Sequence, residues 1–559
     1  MDRRDFLRLS TAAVVGAALQ KPFQSFGRIP LAKQTLRFPP VLNSSTLRAY
    51  ETQVEVWDNY QTRAFTLNGV YPSPTIVART GDRIQVQLQN DLPQDHIIHW
   101  HGLIVPWTMD GHPMHQIQRG QTYDYDFRIV QRAGTYFYHS HTLHLTAEQT
   151  YRGIGGFFIV HDDEEENLGL PHGDFDIPLA LQDRRPNSDR QAFSYNPTMR
   201  DIMTGYMGDA VLVNGTPNAT FNVNRTWYRF RLLNASNARI YLIAFEPAIS
   251  FHLIATDGGL LEQPIEVSEL FLAPGERAEI MVNFTQRPLN STVRMVTKAF
   301  DIGEPPMSDQ GRYMEVLELN INGTQQSNGS LPSTLSTIDR YDPQKARRTR
   351  TFNLTMFMMQ PRINGIQYNL TRIDERIPLN ELEIWEFVNN SNMSHPMHVH
   401  NVMFQVFQRI RNGQQQPLFP TDHGWKDTVL VRPRETVKVL VKFEPRYTGI
   451  YLFHCHNLEH EDADMMLNIE LYGKVTGVSS RSPKALEAQY DPLTEQIVIA
   501  APAASTQRPV NIVDIRGRTV FRGTMYPHQT QMRIDVRSFA SGLYWIQVGT
   551  WQYQVRIWR

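Results

Sequence analysis

One unit recurs three times along the chain. VQLQNDLPQDHIIHWHGL ends an alternating apolar and polar run near Asn90, YRFRLLNASNARIYLIAF does so near Asn234, and EIWEFVNNSNMSHPMHVHNV near Asn389. Alternation puts successive side chains on opposite faces of a half-buried strand, and RIQVQLQ (83–89), WYRFRLL (227–233) and TVKVLVKF (436–443) all show it. Gly, Pro and Asn separate these runs, and long amphipathic helices are hard to find. The repeat therefore predicts an all-β chain of sandwiches in series, and 559 residues are enough for several domains, each with its own core.

Composition shifts mark the expected boundaries: the acidic HDDEEEN (161–167), the polar NGTQQSNGSLPSTLSTIDRYDPQK (322–345), and the end of LNIELYGKV near 474. The expected domains are 40–165, 170–325 and 345–473, with a small β domain at 485–559. A second correspondence ties the outer units together. GTYFYHSHT (134–142) matches GIYLFHCHN (449–457), which aligns His139 with His454, Ser140 with Cys455 and His141 with His456. In the middle unit the histidine positions are filled by residues such as Tyr241 and Ile243, so that domain is expected to keep the fold without the ligands.

The N-terminus, MDRRDFLRLSTAAVVGAALQ, reads as a twin-arginine export signal over residues 1–30, on Arg3, Arg4, Asp5 and Phe6. Its apolar segment is too short for a membrane span, and no later run is long and apolar enough to cross a bilayer. Lys plus Arg (55) balances Asp plus Glu (56), so bulk charge recruits neither nucleic acid nor an anionic membrane. Export also exposes the lone thiol, Cys455, to oxidation, and one cysteine cannot form an internal disulfide. A bound metal would protect it.

Histidines at i and i+2 share one face of a strand, while the residue between them faces the other way. Four segments have this spacing: His99-Trp100-His101, His139-Ser140-His141, His398-Val399-His400 and His454-Cys455-His456. The last can bridge two metal sites. Eight imidazoles are too many for one zinc, yet imidazole alone suits zinc, iron or nickel as well as copper. Cys455 narrows the choice. With His395 upstream, His460 five residues on and Met465 ten residues on, it completes two imidazoles, a thiolate and a weak thioether, the ligand set of a blue-copper centre.

With HWHG, YHSH, HPMHVH and HCHNLEHEDADMM together, residues 40–473 resemble the multicopper oxidases, a family that includes laccases, bilirubin oxidases and cuprous oxidases. The resemblance implies three cupredoxin-like Greek-key β-sandwich domains and four copper ions. Type 1 copper would take His395, Cys455, His460 and Met465; type 2 would take His99 and His398. The type 3 pair would take His101, His139, His141, His400, His454 and His456. It further implies that a small reducing substrate, phenolic or aromatic-amine, gives electrons at type 1 copper while O2 is reduced to water at the other three. Cuprous ion as substrate, and a non-enzymatic cell-envelope scaffold, are the alternatives. His395 and His460 would form the electron entry edge, and Asp110 and Glu461 match acids that serve proton delivery.

Several residues stand outside this pattern. Asn401 occupies a position where the family usually has Gly, with local backbone consequences expected. His96 aligns with His395 but meets Ser140 in place of a thiolate, so it reads as a relic or a surface residue. His112, His115, His144 and His423 read as supporting or surface residues. Met203, Met207, Met356, Met358, Met359, Met393, Met397 and Met403 read as core filler ahead of a cuprous-ion entry site. The tail containing VNIVDIRGRTVFRG and RIDVRSFASGLYWIQV resembles a type 9 secretion sorting domain through Asp514, Gly517, Arg518, Asp535 and ASGLY (540–544). Its alternative is a small sandwich that binds a surface or another subunit. The expected partners are the export machinery, O2 and a small reductant, and the expected address is periplasm, cell surface or medium.

Overall fold

The structure, a computed structural model, describes residues 32–358, 360–475, 487–491, 495–501, 506–526, 531–549 and 551–557; the twin-arginine segment and Met359 lie outside them. Among the described residues no helix is long and apolar enough to cross a membrane.

Each repeat folds into two facing sheets. In the first, the sheet Gln61–Leu67, Thr46–Glu55, Arg83–Asn90, Thr122–Arg128 faces Ile76–Arg79, Gly155–His161, Gly134–Ser140, Ile98–His101. Leu47, Leu88, Trp100, Tyr125 and Phe158 fill the space between them, each contributing about 1.5–3 kcal/mol through burial. The second repeat builds larger sheets around Leu179, Phe230, Ile243, Ile280 and Leu319. In the third, a six-stranded sheet containing Arg348–Phe357 and Glu383–Asn389 faces a five-stranded one. The order of the latter is Glu375–Pro378, Met466–Tyr472, Gly449–Cys455, His395–Val399, Thr428–Val431.

The asparagine ending each repeated run has one job in all three copies. Asn90 donates to the carbonyls of Gln94 and Ile117, Asn234 to those of Arg239 and Leu272, and Asn389 to those of Met393 and Val431. Its oxygen accepts from the backbone two residues on, at Leu92, Ser236 and Ser391 respectively. A short amide closes the turn and satisfies backbone groups that burial would otherwise orphan. The two outer copies of this turn lead directly into the strands that carry His99 and His398.

The tail forms a smaller pair of sheets, Glu487–Asp491, Gln496–Ala500, Gln531–Asp535 against Thr519–Met525, Arg508–Asp514, Gly542–Val548, Trp551–Ile557. It has its own core of Ile497, Ile499, Val510, Ile512 and Ile546. Asp514 accepts from the backbone of Arg516 and Arg518, closing a turn in which Gly517 takes a φ of 75°. The Gln489 amide donates to the Thr448 hydroxyl of the third repeat.

Candidate metal centre

Strand register sets the site. Met397 pairs with Cys455 and His398 with His454, just as Ile98 pairs with Ser140 and His99 with His139 in the first repeat. The sulfur of Cys455 lies 3.5 Å from Nδ1 of His395 and 3.6 Å from Nδ1 of His460. Asn457 positions His460 by capping the short helix Leu458–Asp462. Met465, fully buried, is fixed on the same turn: its N–H donates to the His460 carbonyl and its carbonyl accepts from Cys455 N–H. Burial pushes the Cys455 thiol up, holds His395 well below the usual imidazole range and lowers His460 to about 4. Both imidazoles therefore offer a bare nitrogen to the sulfur.

The eight paired imidazoles gather in one pocket between the first and third repeats. Nε2 of His454 lies 3.3 Å from that of His141 and 3.1 Å from that of His400. Nε2 of His99 and His398 face each other at 3.4 Å, and Nδ1 of His101 lies 3.4 Å from Nε2 of His139. The ring of His456 sits 4.9 Å and 5.1 Å from those of His101 and His139. Burial, reinforced by repulsion between neighbouring imidazoles, holds His99, His141, His400 and His456 well below the usual range.

Outer hydrogen bonds fix which nitrogen points inward. Nδ1 of His99 donates to the Asp110 carbonyl (2.7 Å), that of His400 to Oδ2 of Asp110 (2.7 Å), that of His139 to the Ser140 carbonyl (2.8 Å) and that of His398 to the Asp427 carbonyl (2.9 Å). His101 is reversed: its Nε2 is held by Oδ1 of Asp427 at 3.0 Å and by the Thr428 hydroxyl at 3.1 Å. Carboxylate and carbonyl partners of this kind orient ligand imidazoles in metal sites.

The donor set fits copper. Two nitrogens bound to one ion at about 2 Å with tetrahedral angles lie about 3.3 Å apart, and a thiolate sulfur and a nitrogen lie about 3.6 Å apart. Bare imidazole nitrogens facing each other at 3.1–3.4 Å repel unless a cation lies between them. Both nitrogens of His456, Nδ1 of His141, Oδ1 of Asp110 and both Glu461 oxygens are buried without a hydrogen-bond partner, each costing about 1–3 kcal/mol in a metal-free pocket. Glu461 lies 3.1 Å from Nδ1 of His454 and 3.5 Å from Nδ1 of His141 without hydrogen-bonding geometry.

Several expectations change. His395 and His460 form no open edge: both are fully buried, and their outer nitrogens meet the Ser391 hydroxyl (2.8 Å) and the Met203 carbonyl (3.0 Å). The short helix Met199–Thr204 supplies the cover over His460. His96 is buried and is no surface residue. Its Nδ1 meets Oε1 of Gln149 at 2.8 Å, and Ser140 donates to the same oxygen at 2.6 Å, so an amide fills the cysteine-free copy of the site. Asn401 takes a φ of 61°, the left-handed backbone that favours glycine, and its side-chain oxygen accepts from Val105 N–H at 3.1 Å. His144 and His423 are exposed, whereas His112 is buried against Asn468. Met207, Met393 and Met397 are buried in cores, while Met358 is 78% exposed.

Sequence reasoning missed Asp427, Thr428 and Ser391. WKDT offers one available signal: a charged pair immediately ahead of the fully buried strand Thr428–Val431.

A cysteine with two imidazoles, joined through its own tripeptide to an eight-imidazole pocket on a cupredoxin-like frame, is the donor set of a redox metalloprotein. The chain belongs to the multicopper oxidase family, with residues 48–165, 185–314 and 334–472 each matching a multicopper oxidase domain. It is accordingly a copper-dependent oxidoreductase. Residues 491–556 match a secretion system C-terminal sorting domain. The chain is 28% identical to a laccase of Bacillus subtilis over 496 residues, covering 77% of this chain and 96% of that one. It is 30% identical to the cell division protein FtsP of Proteus mirabilis, covering 84% and 98%. The crystal structure of the McoA multicopper oxidase from Aquifex aeolicus superimposes with a TM-score of 0.73 at 36% identity, covering 79% of this chain and all of that one.

Proposed function

We propose that this protein is an exported laccase-type oxidase that takes single electrons from phenolic or aromatic-amine substrates and uses them to reduce dioxygen to water. His395, Cys455, His460 and Met465 would hold type 1 copper, and His99 and His398 type 2. His101, His139, His141, His400, His454 and His456 would hold the type 3 pair. Copper at the thiolate would accept electrons one at a time, and copper in the imidazole pocket would deliver four to dioxygen. The observation that carries the reading is the position of Cys455. Its sulfur meets His395 and His460, while its chain neighbours His454 and His456 enter the other pocket. The covalent backbone then supplies the shortest path between the two.

Copper quantification with visible and electron-paramagnetic spectra, followed by oxygen uptake across a substrate panel, tests this reading. A colourless protein lacking about four coppers after proper loading ends it.

Asp110 and Glu461 are the acids we assign to proton delivery. Asp110 also orients His400, and burial raises its pKa above the usual carboxylate range. Met465 would hold type 1 copper through a weak thioether and so help set its potential. Replacing it with leucine should raise that potential and leave the blue band in place, as redox titration would register; an unchanged potential would remove Met465 from the site.

The covered imidazoles favour a second reading, oxidation of cuprous ion. A small cation needs less open surface than an aromatic ring, and the outer nitrogens of His460 and His395 already meet the Met203 carbonyl and the Ser391 hydroxyl. Turnover of cuprous ion against a phenol separates the two. The reading as a non-enzymatic scaffold is weakened by the complete donor set. We take the oxidase domains as 40–165, 170–325 and 345–473, and the tail from 485 as a delivery module with a separate core. Deleting 485–559 should change where the protein is delivered while copper content and turnover stay as they were. A copper-free, inactive truncation would make the tail part of the oxidase.

A further inference from the structure

The middle domain has no copper ligand, yet its loop Ala273–Arg277 reaches the imidazole pocket from behind. Gly275, at a φ of 81°, lies so close to His456 that a methyl group there would sit 3.0 Å from the ring. Two residues on, Arg277 spans the first and third domains. Nη1 donates to Oδ1 of Asp427 (2.7 Å) and to the Gly275 carbonyl (2.8 Å); Nη2 donates to Oδ2 of Asp427 (2.5 Å) and to the Asp257 carbonyl (3.0 Å). Nε donates to the Thr135 carbonyl at 3.0 Å. Every guanidinium N–H therefore has an acceptor, and the side chain is fully buried.

Asp427 is the residue that reverses His101. Its Oδ1 accepts from Nε2 of His101, and its backbone carbonyl accepts from Nδ1 of His398. Gly102, the last residue of HWHG, takes a φ of 86°. A side chain there would meet Nη2 of Arg277 and Oδ2 of Asp427 at 2.7 Å, so the motif's glycine gives this ion pair its room. Lys426 braces the loop from the third domain, with Nζ 2.9 Å from both Glu276 and Asp257. A buried bidentate arginine–carboxylate pair adds little net stability, but it is directional and fixes the orientation of whatever the carboxylate holds.

From this geometry we infer that Arg277 is a positioning residue for the trinuclear pocket: it clamps Asp427, which holds His101 with Nδ1 inward. The copper-free domain is thus a structural part of the oxygen-reducing site. The inference rests on the ligand assignment proposed above.

Arg277→Gln keeps the length of the side chain but loses the charge and most of the fork. Copper binding should be measured at buffered free copper, together with the blue band and the electron-paramagnetic spectrum. The variant should keep its blue band, because Cys455 and its imidazoles make no contact with this loop. Affinity for the remaining copper should fall about 10- to 100-fold, the usual consequence of removing an outer partner of a metal ligand. Arg231→Gln, which removes an equally buried arginine paired with Glu279 and Asp176, should bind copper as wild type does. Full copper affinity with an unchanged spectrum in Arg277→Gln overturns the inference. If that variant does not accumulate, Arg277→Lys decides by the same readouts. If neither variant accumulates while Arg231→Gln does, the arginine is a folding element only and the inference falls. A wild-type protein that binds no trinuclear copper would instead refute the ligand assignment.

Discussion

Replacing Cys455 with serine should leave a folded, colourless protein whose oxidase turnover is lower by more than about 100-fold, beyond the 10- to 100-fold that losing an outer partner alone costs. The molecule already contains a template for this variant. Ser140 stands at the equivalent register position in the first repeat, where Gln149 and Thr142 accommodate its hydroxyl. A serine is therefore compatible with the strand, but it offers no thiolate. Copper in the eight-imidazole pocket should remain, since none of those rings depends on the sulfur. The expected result is retained electron-paramagnetic copper without the blue band and without steady-state oxygen uptake. Turnover near wild type would mean that electrons reach the pocket by another route.

Asp110→Ala should have the next largest effect: oxygen uptake about 10- to 100-fold slower with the blue band intact. Oδ2 of Asp110 is the acceptor for Nδ1 of His400, and without it a buried N–H is left unpaired at a cost of about 1–3 kcal/mol. The bond from His99 survives, because it ends on the backbone carbonyl of Asp110. Asp110→Asn separates the two roles of this residue. Its amide oxygen can still accept from His400, but it carries no exchangeable acid. Slow turnover in both variants identifies proton delivery; an impaired alanine variant beside a normal asparagine variant identifies orientation alone. Wild-type rates across pH in both would remove Asp110 from the reaction.

The local features were legible. Alternation in WYRFRLL and TVKVLVKF is a property of neighbouring residues, and those segments are the strands Trp227–Asn234 and Glu435–Val441. The i, i+2 histidine spacing likewise matches His454 and His456 entering one pocket and Cys455 another, at the end of the strand Gly449–Cys455. Partners distant in sequence were less legible. The entry edge expected at His395 and His460 is closed at His460 by the Met203 carbonyl, a contact between residues 257 positions apart. The sequence does not place His96 in the interior, since only the packed structure brings Gln149 onto it.

The sequence by itself therefore determined the sandwich repeats, the copies that keep their histidines and the tripeptide that joins the two metal pockets. All of these follow from short-range periodicity, which depends only on backbone geometry. The directions that His101 and His400 face were decided by the tertiary structure. His101 turns its Nδ1 inward because Asp427, 326 residues away, holds the other nitrogen, and Asp427 is itself held by an arginine from the domain without ligands. Hydrogen bonds between domains depend on how the sandwiches pack, and no spacing along the chain encodes that packing.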